Sequence, residues 1–240
     1  LSATLMLLLA ACSKSEPDSN VVTTPEDTTT IVEALAGVND QGLKDCITSN
    51  AAEFEFRFII DIVNLNCVSK GILDLTGIEA FIYITDLDLS NGGQPYNDFS
   101  DISPLSNLGN LEVLKLNYLR QLVNIEALSS LDTIRDFSIR NSRLTSIVGL
   151  ENKPRLEILD LSENGINDLS PLAISSGSQT SLRQLRLADG CDCNSNTISD
   201  LSALANHVNL ESLVNNSSAV TDISALANLT KMIDLSLRYN

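Results

Sequence analysis

The 240-residue sequence predicts an α/β repeat solenoid, a coil of similar units stacked into one elongated core behind a small helical cap. Three observations carry that prediction. Apolar residues recur with a period close to 22 across residues 62–240, and self-similarity at such a period is the signature of stacked units. Hydrophobic content is 43% while aromatic content is only 4%, with no Trp, so the core is built from Leu, Ile and Val, as in repeat stacks, and disorder is excluded. Ahead of the repeats, Leu43, Cys46 and Ile47 fall at helical spacing, on one helix face.

The N-terminus comes first. Residues 1–11 are almost wholly apolar, end in Leu9-Ala10-Ala11-Cys12, and are followed by a polar run from Ser13. Eleven residues are too few to span a bilayer but match the apolar part of an export signal. The segment resembles a bacterial lipoprotein signal, whose lipobox is a Leu, two small residues and the Cys that receives lipid. The resemblance implies lipidation at Cys12, a signal peptide over 1–12, and a lipid anchor to the outer membrane or cell surface, with Ser13 in place of the Asp of a retention signal. No Met or basic residue precedes Leu1, so the reading frame is expected to begin upstream. The alternative is an ordinary apolar strand, but the polar stretch to Thr30 offers it nothing to pack on. Residues 13–30, rich in Ser, Thr, Pro and acids, are read as a flexible tether.

Residues 31–61 are read as the cap that an open solenoid end requires. The helix-face residues above sit in it, and Phe54, Phe56, Phe58 and Ile59 are expected to add bulk.

From Ile62 the apolar positions are 1, 4, 6, 11, 14, 17 and 20 of each unit, as in Ile62, Leu65, Cys67, Ile72, Leu75, Ile78 and Phe81. Later units open at Ile84, Leu111, Ile134, Leu156, Leu182, Leu210 and Met232, giving seven complete units and a truncated eighth. Positions 4 and 6 point to one side of a short strand, because alternate strand residues share a face. The remaining apolar positions return the chain along the other side. Asn215 interrupts the apolar set of the seventh unit, and the eighth stops at Asn240 without a cap, so sequence beyond Asn240 is expected.

This pattern, with Asp101-Ile102-Ser103-Pro104-Leu105, Asp168-Leu169-Ser170-Pro171-Leu172, Asp200-Leu201-Ser202-Ala203-Leu204 and Asp222-Ile223-Ser224-Ala225-Leu226, resembles the internalin-type leucine-rich repeats of bacterial surface proteins. The resemblance implies a right-handed leucine-rich repeat solenoid, with a parallel β-sheet on the concave face and short 3-10 or irregular segments on the convex face. The family usually places Asn at position 9, where its amide pairs with the turn. Counted forward from each unit start, only Asn164 and Asn240 sit there; Lys70, Ser142 and Ser218 stand in its place, and irregular turns are expected.

The segment from Asp40 with Leu65-Asn66-Cys67 also resembles the caps of exported bacterial repeat proteins, in which a helix Cys faces the first strand. That resemblance implies a Cys46–Cys67 disulfide; two buried free thiols are the alternative. Cys191 and Cys193, in an insertion of the sixth unit beside Asp189 and Asp192, are read as a loop-bracing disulfide ahead of a metal half-site, since a zinc signature normally has two such pairs. Further insertions lie at 91–100 and 173–181, where repeats tend to individualise a surface.

Catalysis is not expected. The single His, His207, falls on the convex return and is read as a turn residue rather than a general base, and there is no phosphate loop or metalloprotease helix. No cofactor or metal is expected either. The formal charge of −16 disfavours nucleic acid. A binding role falls to the outward strand positions 3 and 5, flanked by 2 and 7. These supply Asp86, Asp88, Lys115, Arg135, Ser138, Asp160, Arg183, Arg186 and Val214. Eight strands at about 4.7 Å make a face on the order of 33 Å long, enough for a protein partner, whereas carbohydrate binding there would call for clustered aromatics, which are absent. The expectation is thus a monomeric, envelope-anchored protein-binding module; the alternative is a scaffold presenting a domain beyond Asn240.

Overall fold

The computed structural model describes residues 27–175, 181–188 and 196–240. Cys12, Cys191 and Cys193, and the pairing expected of the last two, lie outside the described residues. Eight short strands form one parallel sheet in sequence order: β1 (Asn64–Asn66), β2 (Asp86–Asp88), β3 (Val113–Lys115), β4 (Asp136–Ser138), β5 (Ile158–Asp160), β6 (Gln184–Ala188), β7 (Ser212–Asn215) and β8 (Asp234–Ser236). The register pairs Leu65, Leu87, Leu114, Phe137, Leu159, Leu185, Leu213 and Leu235 across neighbouring strands. These are the position-4 residues, and all but Leu235, which lies on the last strand, are buried. The leucine-rich repeat solenoid is therefore the observed fold.

Opposite the sheet, the chain returns through short 3-10 turns at Ile78–Ala80, Ser103–Asn107, Glu126–Ser130, Ser170–Leu172, Ser202–Leu204 and Ser224–Leu226. The Asp-x-Ser motif explains where four of them start. Asp101, Asp168, Asp200 and Asp222 each accept the backbone N–H of the Ser two residues on, at 2.7–2.8 Å. This satisfies a donor that a short helix otherwise leaves open. The same bonds from Ser170 and Ser224 hold the carboxyls of Asp168 and Asp222 below the usual value. Gly149 serves a different turn: its φ is +107°, and a Cβ there would stand 2.4 Å from the Ile125 carbonyl oxygen.

The cap contains a short helix, α1 (Ile31–Ala34), and a longer one, α2 (Gln41–Glu53). Asp40 caps α2 by accepting from Leu43 N at 2.8 Å, and Leu43, Cys46, Ile47 and Ala51 turn inward. The Cys46–Cys67 disulfide ties α2 to the end of β1, with the Cα atoms 5.6 Å apart. Two expectations for this region need correction. Phe54 is 56% exposed and Phe58 36% exposed, so of the four bulky residues only Ile59 is fully buried. The last residues assigned to the tether belong to the cap: Thr30 closes a capping box with Glu33, Thr29 O accepts from Ile59 N at 3.1 Å, and Tyr83 donates to Asp27 at 3.3 Å.

The turns that follow the strands are more regular than forward counting implied. In the second unit the buried Asn97 accepts from Lys70 N and Ile72 N, both at 3.0 Å, and donates to Cys67 O and Leu89 O at 2.9 and 2.8 Å. Asn164 accepts from Ser142 N and Leu144 N at 3.1 and 3.0 Å, and donates to Ile139 O and Leu161 O at 2.6 and 2.9 Å. Asn196 accepts from Ile166 N at 2.8 Å and donates to Leu161 O and Leu187 O. Asn97 and Asn196 thus occupy the position-9 role, displaced by insertions that precede them. Each stands two residues before a buried apolar residue, Phe99 and Ile198, as Asn164 stands before Ile166. Where Ser142 replaces Asn, its hydroxyl donates to Leu116 O and accepts from Leu119 N, both at 3.1 Å.

At the far end, Ile223 is 54% and Leu235 45% exposed, and Met232 and Leu226 are only partly buried. The first six units bury every apolar position expected of them. Asn215, the interruption in the seventh unit, is fully buried and accepts from Ser218 Oγ at 2.8 Å.

Candidate binding face

Every strand presents positions 3 and 5 away from the core, because position 4 takes the inward place. Down the stack, position 3 carries Asn64, Asp86, Val113, Asp136, Ile158, Gln184, Ser212 and Asp234; position 5 carries Asn66, Asp88, Lys115, Ser138, Asp160, Arg186, Val214 and Ser236. Lys115 and Arg186 are exposed, and Asp86, Asp88, Ser138 and Asp160 are half-buried among neighbouring strands. Val214 departs from expectation: it is 8% exposed and belongs to a buried strand segment.

The two edges of this face differ electrically from its centre. Position 2 alternates in sign over five strands: Glu112, Arg135, Glu157, Arg183 and Glu211. Arg135 lies 3.6 Å from Glu112 and 3.0 Å from Glu157, and Arg183 lies 2.9 Å from Glu211. On the opposite edge, Arg140 pairs with Glu163, to which Asn141 also donates at 2.8 Å. Arg135 and Arg183, both candidates for the binding face, are therefore each matched by a carboxylate within the chain. Ser138 is engaged too, donating to Asn117 at 2.7 Å, which also accepts from Arg140 N at 2.8 Å.

The central carboxylates are matched less closely: Lys115 acts on Asp136 and Arg140 on Asp160, in both cases without an ion pair. Among the described residues, Asp86, Asp88, Asp136 and Asp160 form no salt bridge. Asp88 and Asp160 accept the backbone N–H of Ser90 and Ser162, at 3.0 Å each. Desolvation raises the Asp136 carboxyl above its usual value, and Asp160 adds to the rise while Lys115 opposes it. The centre of the face is thus an acidic strip in which part of the charge is held at an energetic cost.

At its N-terminal end the strip runs under the cap. The last turn of α2, with Asn50, Glu53 and Phe54, walls a cleft of about 620 Å³ over Asn64, Asn66, Asp86, Asp88 and Lys115. Nothing in the repeat pattern announces this wall, which depends on where the end of α2, with the exposed Phe54, sits over the sheet. Asn50 Oδ1 is buried there without a hydrogen-bond partner among the described residues.

His207 lies on the convex side, as its place in the unit predicted. It is 4% exposed, and its Nε2 lies 2.8 Å from Leu172 O, so the ring is the tautomer that donates to that carbonyl. Burial lowers its pKa below 6.5. Among the described residues no three His, Cys, Asp or Glu side chains are grouped to hold a metal ion, and no helix is long and apolar enough to cross a membrane.

No protein-family model and no curated protein matches the chain. Solved structures do. The crystal structure of internalin C2 from Listeria monocytogenes superposes with a TM-score of 0.60 at 21% identity, over 84% of this chain and 95% of that one. The TLR13 chain of a complex with the RNA ssRNA13 superposes with a TM-score of 0.51 at 24% identity, over 70% of this chain and 23% of that one. At these identities the likeness is one of fold, an internalin-like leucine-rich repeat coil.

Proposed function

We propose that the chain is a recognition module of the bacterial envelope that binds a protein through its concave face and carries out no catalysis. The observation that carries this reading is the acidic strip of Asp86, Asp88, Asp136 and Asp160, which forms no salt bridge among the described residues and is set between ion-paired edges. A partner presenting Lys or Arg would relieve the mutual repulsion of these groups and gain charge-assisted hydrogen bonds. The same strip, in a chain of charge −16, repels phosphate, so the RNA held by the TLR13 neighbour is no guide to the ligand here. Val113 and Ile158, the latter 37% exposed, supply apolar contact between the carboxylates.

The module works as a monomer, exported and attached through lipid on Cys12 to the outer membrane or cell surface. The lipobox residues 9–12 and the Cys46–Cys67 disulfide, which suits an oxidising compartment, support that placement. Cys12→Ser should move the protein from the membrane fraction to the soluble one.

Photo-crosslinking tests the binding face. A benzophenone amino acid at Lys115 should label a partner in surface extracts, and the label should fade as salt rises. The same probe at Val123, exposed on the return segment after β3, should not. Equal labelling from both positions would remove the concave face from consideration.

A further inference from the structure

A second cleft lies off the concave face, beside the insertion that begins at Asn91. Its volume is about 930 Å³, and its walls include Leu73, Gln94, Tyr96, Asp98, Tyr118 and Arg120. The chain has only four Tyr and no Trp, yet two of those Tyr line this cleft, 54% and 44% exposed. Exposed aromatics in so aromatic-poor a chain contribute nothing to its core, so their placement needs another reason.

The loop that carries Tyr96 is pinned at both ends. Asn91 Nδ2 donates to Asn97 O at 2.8 Å, while Asn97 N donates to Asn91 Oδ1 at 2.7 Å. Asn91 also donates to Tyr118 O at 3.2 Å, which joins the loop to the other wall of the cleft. Gly92 N and Gly93 N both donate to Ser69 Oγ, at 2.8 and 3.0 Å, and Asp98 N donates to Ile72 O at 2.8 Å. A ligand entering the cleft therefore meets a preorganised wall and need not order a loop.

The chemistry of the walls narrows the ligand. Tyrosine rings offer flat apolar faces; Gln94 both donates and accepts, Asp98 accepts and Arg120 donates in a planar fork. The one acid and the one base cancel, which favours an uncharged ligand. A pyranose ring has this double character, with an apolar C–H face and a rim of hydroxyls that donate and accept. An anchor pocket for a protein side chain would be more apolar and more deeply desolvated; Leu73 is the only large aliphatic residue among these walls. The volume lies within the range of small-ligand sites, roughly 300–1,000 Å³.

We propose that this cleft binds a neutral oligosaccharide of pyranose units, between Tyr96 and Tyr118, independently of the protein-binding face. The test is calorimetric titration of the protein with maltotriose, cellotriose, mannotriose and triacetylchitotriose, together with tyrosine emission, which no Trp obscures. At least one trisaccharide should bind saturably. Tyr96→Ala and Tyr118→Ala should each weaken it about tenfold with unchanged thermal midpoints, because both side chains are exposed. Tyr96→Phe should retain most of the affinity, and Asp88→Asn on the concave face should leave it intact. Failure of all four sugars to bind, or binding that survives both alanine variants, overturns the proposal. So does a loss of protein crosslinking at Lys115 in the tyrosine variants without any sugar binding, since the cleft would then belong to a protein interface.

Discussion

Two rows of polar side chains run along the coil, one beneath the sheet and one on top of it, and they have opposite fates. The buried row, Asn97, Asn164 and Asn196, satisfies backbone groups of adjacent turns on both sides of each amide. The outer row of aspartates forms no salt bridge among the described residues, and within it Asp160 adds to the rise of the Asp136 carboxyl. Repetition alone does not distinguish a structural residue from a candidate contact. What distinguishes them is whether the neighbouring unit supplies the partner: where it does the row stabilises the coil, and where it does not the row awaits something from outside.

The contrast can be broken at either row. Asn164→Ala should have the largest effect, since it strands two backbone N–H groups and leaves carbonyls under-satisfied in a site that is fully buried. At 1–3 kcal/mol per orphaned group, a loss of about 4 kcal/mol is expected, measurable by urea denaturation, with partner affinity unaffected in the folded fraction. Next, Asp88→Lys should weaken partner binding about tenfold at nearly constant stability. Asp136→Asn should also weaken binding while raising the thermal midpoint slightly, because it removes a carboxylate whose ionised form the fold disfavours. A variant that loses affinity and gains stability is the expected mark of the outer row.

A smaller effect tests burial on the convex side. Because the folded pKa of His207 is lowered, the unfolded chain takes up its proton first as pH falls, and stability declines from about pH 6.5 down to the folded value. The thermal midpoint should therefore be lower at about pH 5 than at pH 7.5, and His207→Gln should flatten that dependence. Asp168 and Asp222, held below 3.8, lose their contribution only at more acid pH, which separates the two causes. The smallest effect is expected at the rim: Arg135→Gln, at an exposed ion pair, should leave the unfolding midpoint unchanged in physiological salt.

Much of the coil was legible because one unit's position 4 must pair with the next unit's position 4, so the apolar period alone set the register of all eight strands. The insertions hid part of the turn chemistry. Counting forward from Ile84 places position 9 at Gly92, but counting back two residues from the buried Phe99 arrives at Asn97; the same step from Ile198 arrives at Asn196. Phe99 itself escaped the apolar pattern for this reason. On the binding face, position 2 yields Arg135 and Arg183 as candidates, but the glutamates that neutralise them, Glu112, Glu157 and Glu211, stand at the same position, an alternation plain in sequence. The cleft beneath α2 was not legible at all. It depends on how far a helix end projects over the sheet, a quantity that no periodicity encodes.

The buried asparagines carry one more implication. Leu111 follows Ile84 by 27 positions and Leu210 follows Leu182 by 28, against the regular 22, and in both units the asparagine amide returns the chain to the common path just after the added residues. That makes the stretch between strand and asparagine a natural splice point. Sequence of varied length and composition can be inserted there without disturbing the neighbouring units, so a lineage could change what such a coil displays at its flank while inheriting the coil itself unaltered.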